Sequence, residues 1–338
     1  MNRKLRSFAA ALTLAVVGGV CTSRVASAED AAAKPAAGAK PIKALLVTGG
    51  CCHDYAKQTV ILQQGIAARA AVEFTVCHEG DGKTSQRHSV YEKPDWWKGY
   101  DVVIHDECSA DVKDAAFIDG ILKAHKEGVP AVVLHCAMHN YRGEGFDKKD
   151  TAWFRFTGLA TTGHGAQLPI SIAFTDKESP ITQGLGDWKT VNEELYNNVL
   201  GKLADTAKPL ARGKQTRTVY PKKDGKEDKT QPGKETTDET IVAWTNEYEG
   251  KTKVFATTIG HNNDTVADAR YLNLVTRGLL WSVGKLDDAH FKASDANVDV
   301  KAVKPDPVKN TEPAKKADAG GGPAFQPVGL DGKCCGAE

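Results

Sequence analysis

Four short apolar runs dominate the first part of the chain: "IKALLVTGG" (42–50), "VEFTVCH" (72–78), "DVVIHDE" (101–107) and "PAVVLH" (130–135). Helical patterns separate them. One covers about 57–70, with Val60, Ile61, Leu62 and Ile66 as its apolar positions. The other covers 114–127, with Phe117, Ile121 and Leu122 on one side and Gly128 at its end. Apolar strands alternating with amphipathic helices build βαβ units and a mainly parallel sheet. Runs such as "AVVL", with no polar residue to face water, require cover on both faces of that sheet. The expected class is therefore α/β.

The second half reads as richer in strands: "LPISIAF" (168–174), "ETIVAWTNEY" (239–248) and "KVFATTIGH" (253–261). Residues 213–239 are charged and punctuated by Gly and Pro, an expected exposed hairpin or loop. A last helix is expected over 268–283, with Tyr271, Leu272, Val275, Leu279 and Leu280 on one stripe and Gly284 ending it. The folded domain is thus expected over 42–285. Before it, a basic start and the apolar "FAAALTLAVVGGV", followed by "ASA" at 26–28, read as a secretory signal over 1–28. Residues 29–41 read as a small-residue linker and 286–338 as a flexible tail. The expectation is an exported protein, periplasmic or extracellular, with no membrane span. The net charge of +1 gives no field that would recruit nucleic acid. Homo-oligomerisation stays open. Beyond residue 28 there are seven cysteines, including the neighbours Cys51–Cys52 and Cys334–Cys335, but no CxxC spacing.

Ligands of open α/β sheets bind beyond the carboxyl ends of the strands. There the chain places Gly49-Gly50-Cys51-Cys52-His53-Asp54, then His105-Asp106-Glu107, then His135-Cys136-Ala137-Met138-His139, then Gly260-His261-Asn262. Only ten histidines exist in all, so four strand ends that each deliver histidine argue for a site on one edge. "TGHGAQ" (His164) and "NEELYN" (Glu193, Glu194, Tyr196) are read as short polar connections that join it.

These motifs resemble the ThuA-like (trehalose utilisation) family. The resemblance lies in "LLVTGGCCHDY", "VVLHCA", "SPITQGLGDWKTVNEELYN" and "VAWTNEYEGKTKVFATTIGHN…RYLNLVTRGLLWSVG", together spanning about 42–285. It implies a three-layer flavodoxin-like fold, similar to class I glutamine amidotransferase domains, and a role with disaccharides or keto-sugars. Gly49, Gly50, His53, Asp54, His135, Glu194, Tyr196, Gly260 and His261 carry over by motif, with His164 beside them. Two departures stand out. The insertion at 213–239 is longer than a plain hairpin needs, and the amidotransferase elbow G-x-C-x-G is absent, since His135 and Ala137 flank Cys136.

Three chemistries remain open. Cys136 as nucleophile needs a base to form its thiolate, and its neighbour His135 points away from it on a strand. A divalent metal such as zinc would find ligands in His53, His135, His164 and His261. Metal-free proton transfer would use His53, His135, Glu194 and His261 as catalytic groups. In each case Gly50, Asp54, His139, His164, Tyr196 and Asn262 are expected to bind the sugar. A non-catalytic sugar-binding protein is the other class, with Trp96, Trp97, Trp153 and Tyr196 stacking on pyranose rings.

Overall fold

A computed structural model of the chain describes residues 40–80, 82–142 and 150–307. The signal, nearly all of the linker, Cys334 and Cys335 lie outside the described residues. Eleven strands and five helices follow in chain order: β1 (Ile42–Gly50), α1 (Tyr55–Ala67), β2 (Val72–Glu79), β3 (Val102–Cys108), α2 (Ala115–Lys126), β4 (Ala131–Leu134), α3 (Ala152–Thr157), β5 (His164–Phe174), β6 (Trp188–Tyr196), β7 (Ala207–Val219), β8 (Lys222–Lys223), β9 (Lys226–Glu227), β10 (Lys234–Tyr248), β11 (Thr252–Thr257), α4 (Asn263–Val266) and α5 (Ala269–Ser282). Among the described residues, no helix is long and apolar enough to cross a membrane.

Nine strands form one sheet in the order β2-β1-β3-β4-β11-β10-β7-β5-β6. The pairings from β2 to β11 are all parallel, and those from β11 to β6 are all antiparallel. Counting only the parallel core, the order is 2-1-3-4-5, the doubly wound pattern of flavodoxin-like folds. The helices cover both faces. Leu46, Ile104, Val132 and Leu134 pack with Ile61, Leu62 and Ile66 of α1 and Leu272, Val275 and Leu279 of α5. Leu45, Val47, Val103 and Val133 point the other way, onto Ile118, Ile121 and Leu122 of α2 and Trp153 and Phe156 of α3. Alternation along each strand thus feeds two cores, which is why every residue of β3 is buried. Asp114 and Asp268 start α2 and α5 by accepting backbone N–H bonds with their side chains.

Residues 213–239 take the hairpin form of the two expected: β7 and β10 pair from Gly213↔Thr240 out to Val219↔Lys234, with β8 and β9 at the tip. Two expectations change. His164 and Glu193–Tyr196 are strand residues of β5 and β6 rather than parts of connections. Residues 286–307, assigned from composition to a flexible tail, run along the body instead. Their Leu286, Phe291, Val298 and Val300 pack on the α1–α5 core. Buried Arg69 fastens this strap, donating to the carbonyls of Ser294 (2.7 Å) and Ala296 (3.2 Å). Farther on, Asp306 Oδ2 meets His78 Nδ1 at 3.0 Å.

Candidate active site

The direction of the strands decides what meets at the carboxyl edge of the parallel core. β1, β4 and β11 end there and deliver His53, His135 and His261. Three antiparallel steps run from β11 through β10 and β7 to β5, so β5 begins at this same edge, and β6, antiparallel to β5, ends there. Register pairs His164 with Tyr196 and Gln167 with Glu194. The antiparallel half folds back so that β6 meets α4 and β10.

The imidazole rings of His53, His135 and His261 pack edge to face, with centroids 4.6 Å (53 to 135), 4.7 Å (53 to 261) and 5.6 Å (135 to 261) apart. One nitrogen from each lies within 4.8 Å of the others. Glu194 closes the group. Its Oε2 is 3.4 Å from His135 Nε2 and 3.5 Å from His164 Nε2, and its Oε1 is 3.2 Å from His261 Nδ1. That last approach lacks the alignment of a hydrogen bond, so His261 Nδ1, like His53 Nδ1, is buried without a hydrogen-bond partner. Two orphaned imidazole nitrogens beside a carboxylate match the donor set of a zinc-type ion.

Neighbours fix each ring. His135 Nδ1 donates to the Thr258 carbonyl at 2.7 Å, which turns Nε2 toward Glu194. Gln167 Nε2 reaches His261 Nε2 at 2.7 Å and Glu194 Oε1 at 3.2 Å. Glu193, fully buried, points away from Glu194 and accepts the backbone N–H groups of His261 and Asn262, both at 3.0 Å. It thereby binds β6 to the loop that carries His261. Gln58 of α1 holds the same loop by donating to the His261 carbonyl at 2.9 Å. Gly260 lies in this loop with φ +135°, where a Cβ would come within 2.9 Å of Tyr271 Oη and 3.4 Å of His135 Cβ. His135 and Cys52 have φ of +40° and +86°, conformations that non-glycine residues rarely adopt and that concentrate at functional sites.

The charges follow from burial and contact. Burial holds His53 well below the usual imidazole value, and His135 and His261 push the same way. Burial alone would lower His135, but the bond from Glu194 and its charge outweigh it and raise the ring above 6.5. Burial would raise Glu194, yet the bond from His135 and the charges of His135 and His164 hold it well below the carboxylate range. Tyr196 Oη lies 3.3 Å from His135 Nε2, and burial keeps this phenol protonated.

Of the expected residues, the structure brings His53, His135, His164, His261, Glu194 and Tyr196 together. His164 stands outside the three-histidine group and shares Glu194 Oε2 with His135. Asp54 and Asn262 sit on the rim of an open cleft of about 600 Å³ lined by Cys52, His53, His261, Asn263 and Asp264. Asp54 there accepts from Asn263 Nδ2 at 2.8 Å. A second groove, about 590 Å³, opens on the other side past His164 and Tyr196.

Others fall away from the site. His139 stacks behind Tyr196 at 4.0 Å and meets Thr161 Oγ1 at 3.1 Å, so it supports the phenol rather than facing the cleft. Gly50 serves a close approach: a Cβ there would stand 2.2 Å from the Cys108 carbonyl oxygen. Trp96, Trp97 and Trp153 are core residues under α2 and α3, buried away from any sugar. His105 points into that same core, bonded to Tyr91 (2.9 Å), Glu107 (3.1 Å) and His125 (3.1 Å). The positive-φ position at the end of β4 belongs to His135, leaving Cys136 one residue beyond it, buried with Tyr55 and Cys108. Sequence reasoning passed over Gln167, Gln58 and Thr258, and named Glu193 without its role. Gln167 had a signal, three residues after His164 in "TGHGAQ"; a residue that acts through its backbone carbonyl, as Thr258 does, leaves none.

Comparison with known proteins agrees with this architecture. No curated protein matches the sequence. Among solved structures, a putative ThuA-like protein from Parabacteroides merdae aligns with TM-score 0.51 and 19% identity, covering 73% of this chain and 91% of that one. Its counterpart from Bacteroides uniformis gives 0.49 and 17%, covering 75% and 96%. A glutamine amidotransferase from Thermotoga maritima gives 0.35 and 8%, covering 73% and 84%. The family model for ThuA, trehalose utilisation, matches residues 43–282, which hold every residue of the histidine–carboxylate group. On that match the chain belongs to the ThuA (trehalose utilisation) family.

Proposed function

We propose that this protein is an exported, metal-assisted enzyme of carbohydrate utilisation, acting on a disaccharide or keto-sugar at the His53–His135–His261–Glu194 group. The observation that carries the proposal is the gathering of His53, His135 and His261 nitrogens within 4.8 Å of one another beside the Glu194 carboxylate, with His53 Nδ1 and His261 Nδ1 making no hydrogen bond. Buried polar side-chain atoms are normally hydrogen-bonded, so two such nitrogens beside a third imidazole and a carboxylate call for a partner. His53, His135 and His261 would hold the ion with Glu194. A bound zinc-type ion supplies Lewis acidity toward a sugar carbonyl or water.

The chain's own groups do the remaining work. Thr258 and Gln167 orient His135 and His261. Asp54, Asn262 and Asn263 on the cleft rim offer the acceptors and donors that ring hydroxyls need. His164 approaches Glu194 from outside the three-histidine group and reaches water, with 18% of its side chain exposed, so proton exchange with the substrate is assigned to it. The raised affinity of His135 for a proton favours a second reading, in which a His135–Glu194 pair does acid–base work without metal.

Metal analysis of the purified protein, joined to turnover of keto-disaccharides, separates these readings. We expect about one divalent ion per chain, loss of ion and turnover together in His53→Ala and His261→Ala, and recovery of turnover when zinc is returned to chelated wild-type protein. Full turnover by metal-free protein would shift the assignment to the His135–Glu194 pair. Tight sugar binding with no turnover under either condition would make the protein a binding module.

A further inference from the structure

A second group of donors, all sulfur, lies behind the histidines. Cys51 and Cys52 follow β1, Cys108 ends β3, and Cys136 follows His135 at the end of β4. β1, β3 and β4 are neighbours in the sheet, so their ends converge. The sulfurs of Cys51, Cys52 and Cys108 lie within 4.8 Å of one another. Cys51 and Cys52 are joined as a disulfide, while Cys108 and Cys136 are thiols. Cys136 hydrogen-bonds Cys108, and all four pack with Tyr55. Tyr55 Oη is buried there with no hydrogen-bond partner, its residue 5% exposed. A buried cysteine is often a small apolar filler. Filling space does not call for three sulfurs from two strand ends beside an unpartnered phenol.

We propose that Cys51, Cys52 and Cys108 form a thiolate site for a soft monovalent ion of the copper(I) class, closed by the Cys51–Cys52 disulfide and opened by a dithiol reductant. Opening breaks the Cys51–Cys52 bond. The dithiol is oxidised to its own disulfide and passes two electrons and two protons to the released sulfurs. Copper(I) then replaces thiol protons, which leave to the buffer, and its own oxidation state does not change. Thiolates select copper(I), whereas the imidazole–carboxylate group on the other side of His53 suits a borderline divalent ion. The two sites therefore take different metals, although Cys52 and His53 are adjacent in the chain.

The test uses the full chain carrying C334S and C335S, so that the second vicinal pair cannot bind. Protein reduced with dithiothreitol and desalted without oxygen is titrated with copper(I) against a chromogenic copper(I) chelator. One copper(I) per chain is expected after reduction and none before it, with Cys108→Ser weakening binding by at least about tenfold. X-ray absorption of the loaded protein should show a sulfur shell. Alkylation followed by mass spectrometry checks the site without substituting these cysteines: copper(I) should protect Cys51, Cys52 and Cys108 while labelling of Cys77 stays unchanged. Equal copper(I) uptake before and after reduction, a nitrogen shell, or absence of protection would overturn the proposal.

Discussion

Glu193 and Glu194 show how two adjacent identical side chains acquire different work. Neighbours on a strand face opposite ways, so Glu194 enters the histidine group and Glu193 receives the backbone of the His261 loop. Glu193→Gln would turn an amide N–H toward those N–H donors and leave at least one unsatisfied. We expect it to cost about 2 kcal/mol in denaturant unfolding and to weaken metal binding at the histidines by about tenfold or more. The divergence of this pair was legible in the sequence, because the spacing of one residue dictates it. The partners were not, since they are backbone amides of a loop far along the chain. The strand-end histidines behaved similarly. His53, His135 and His261 follow their strands by turns that throw the ring over the sheet edge, and they converge as the strand-end rule expects. His105 lies within β3, so the strand's alternation sends it into the core beside His125.

The order of strands explains what else was hidden. Periodicity located β1 to β4 to within a residue or two, and β11 at its start, because continuous apolar runs mark strands buried on both faces. β5 and β6 alternate more weakly, and their site residues sit at polar ends that read as connections. Nothing local announces that β6 folds back to meet the parallel edge. The strap over 286–307 was equally hidden: its composition is that of an unfolded tail, yet scattered apolar residues and a buried arginine hold it. Arg69 donates to Asn273, Gly65, Ala269, Ser294 and Ala296. Arg69→Met should therefore cost about 3 kcal/mol and open the strap to proteolysis. A chain ending at 285 should lose stability and a chain ending at 307 should keep it, as thermal melting of both would show. Equal melting of the two would mean that the strap adds nothing to the fold.

Buried histidines tie the stability of the entire fold to pH, and the sign can be worked out away from the proposed metal. On the α2 face His88 donates to the Thr48 carbonyl (3.1 Å) and His125 to the Val129 carbonyl (2.7 Å). Burial lowers both rings, and His125, with His105 against it, falls to about 3. A histidine whose folded value lies below its unfolded 6.5 contributes stability that is fully present above 6.5 and lost as pH falls. For His125 the loss runs from 6.5 down to about 3. Each such group weakens the folding equilibrium about tenfold per pH unit within its window. Glu107 opposes none of this: burial would raise its carboxyl, but His105 holds it low, so its contribution too disappears toward acid. His135 runs the other way, its contribution fading as pH rises through its raised value. With His88, His125 and Glu107 all acting on the acid side, denaturant midpoints should fall steeply below 6.5. His125→Asn keeps an N–H for the Val129 carbonyl but removes the titrating ring. Its midpoint should start lower than wild type at neutral pH and then decline less steeply, so that the two curves approach each other in acid. Curves that stay parallel would show that His125 does not carry the acid sensitivity, leaving it to His88 and Glu107.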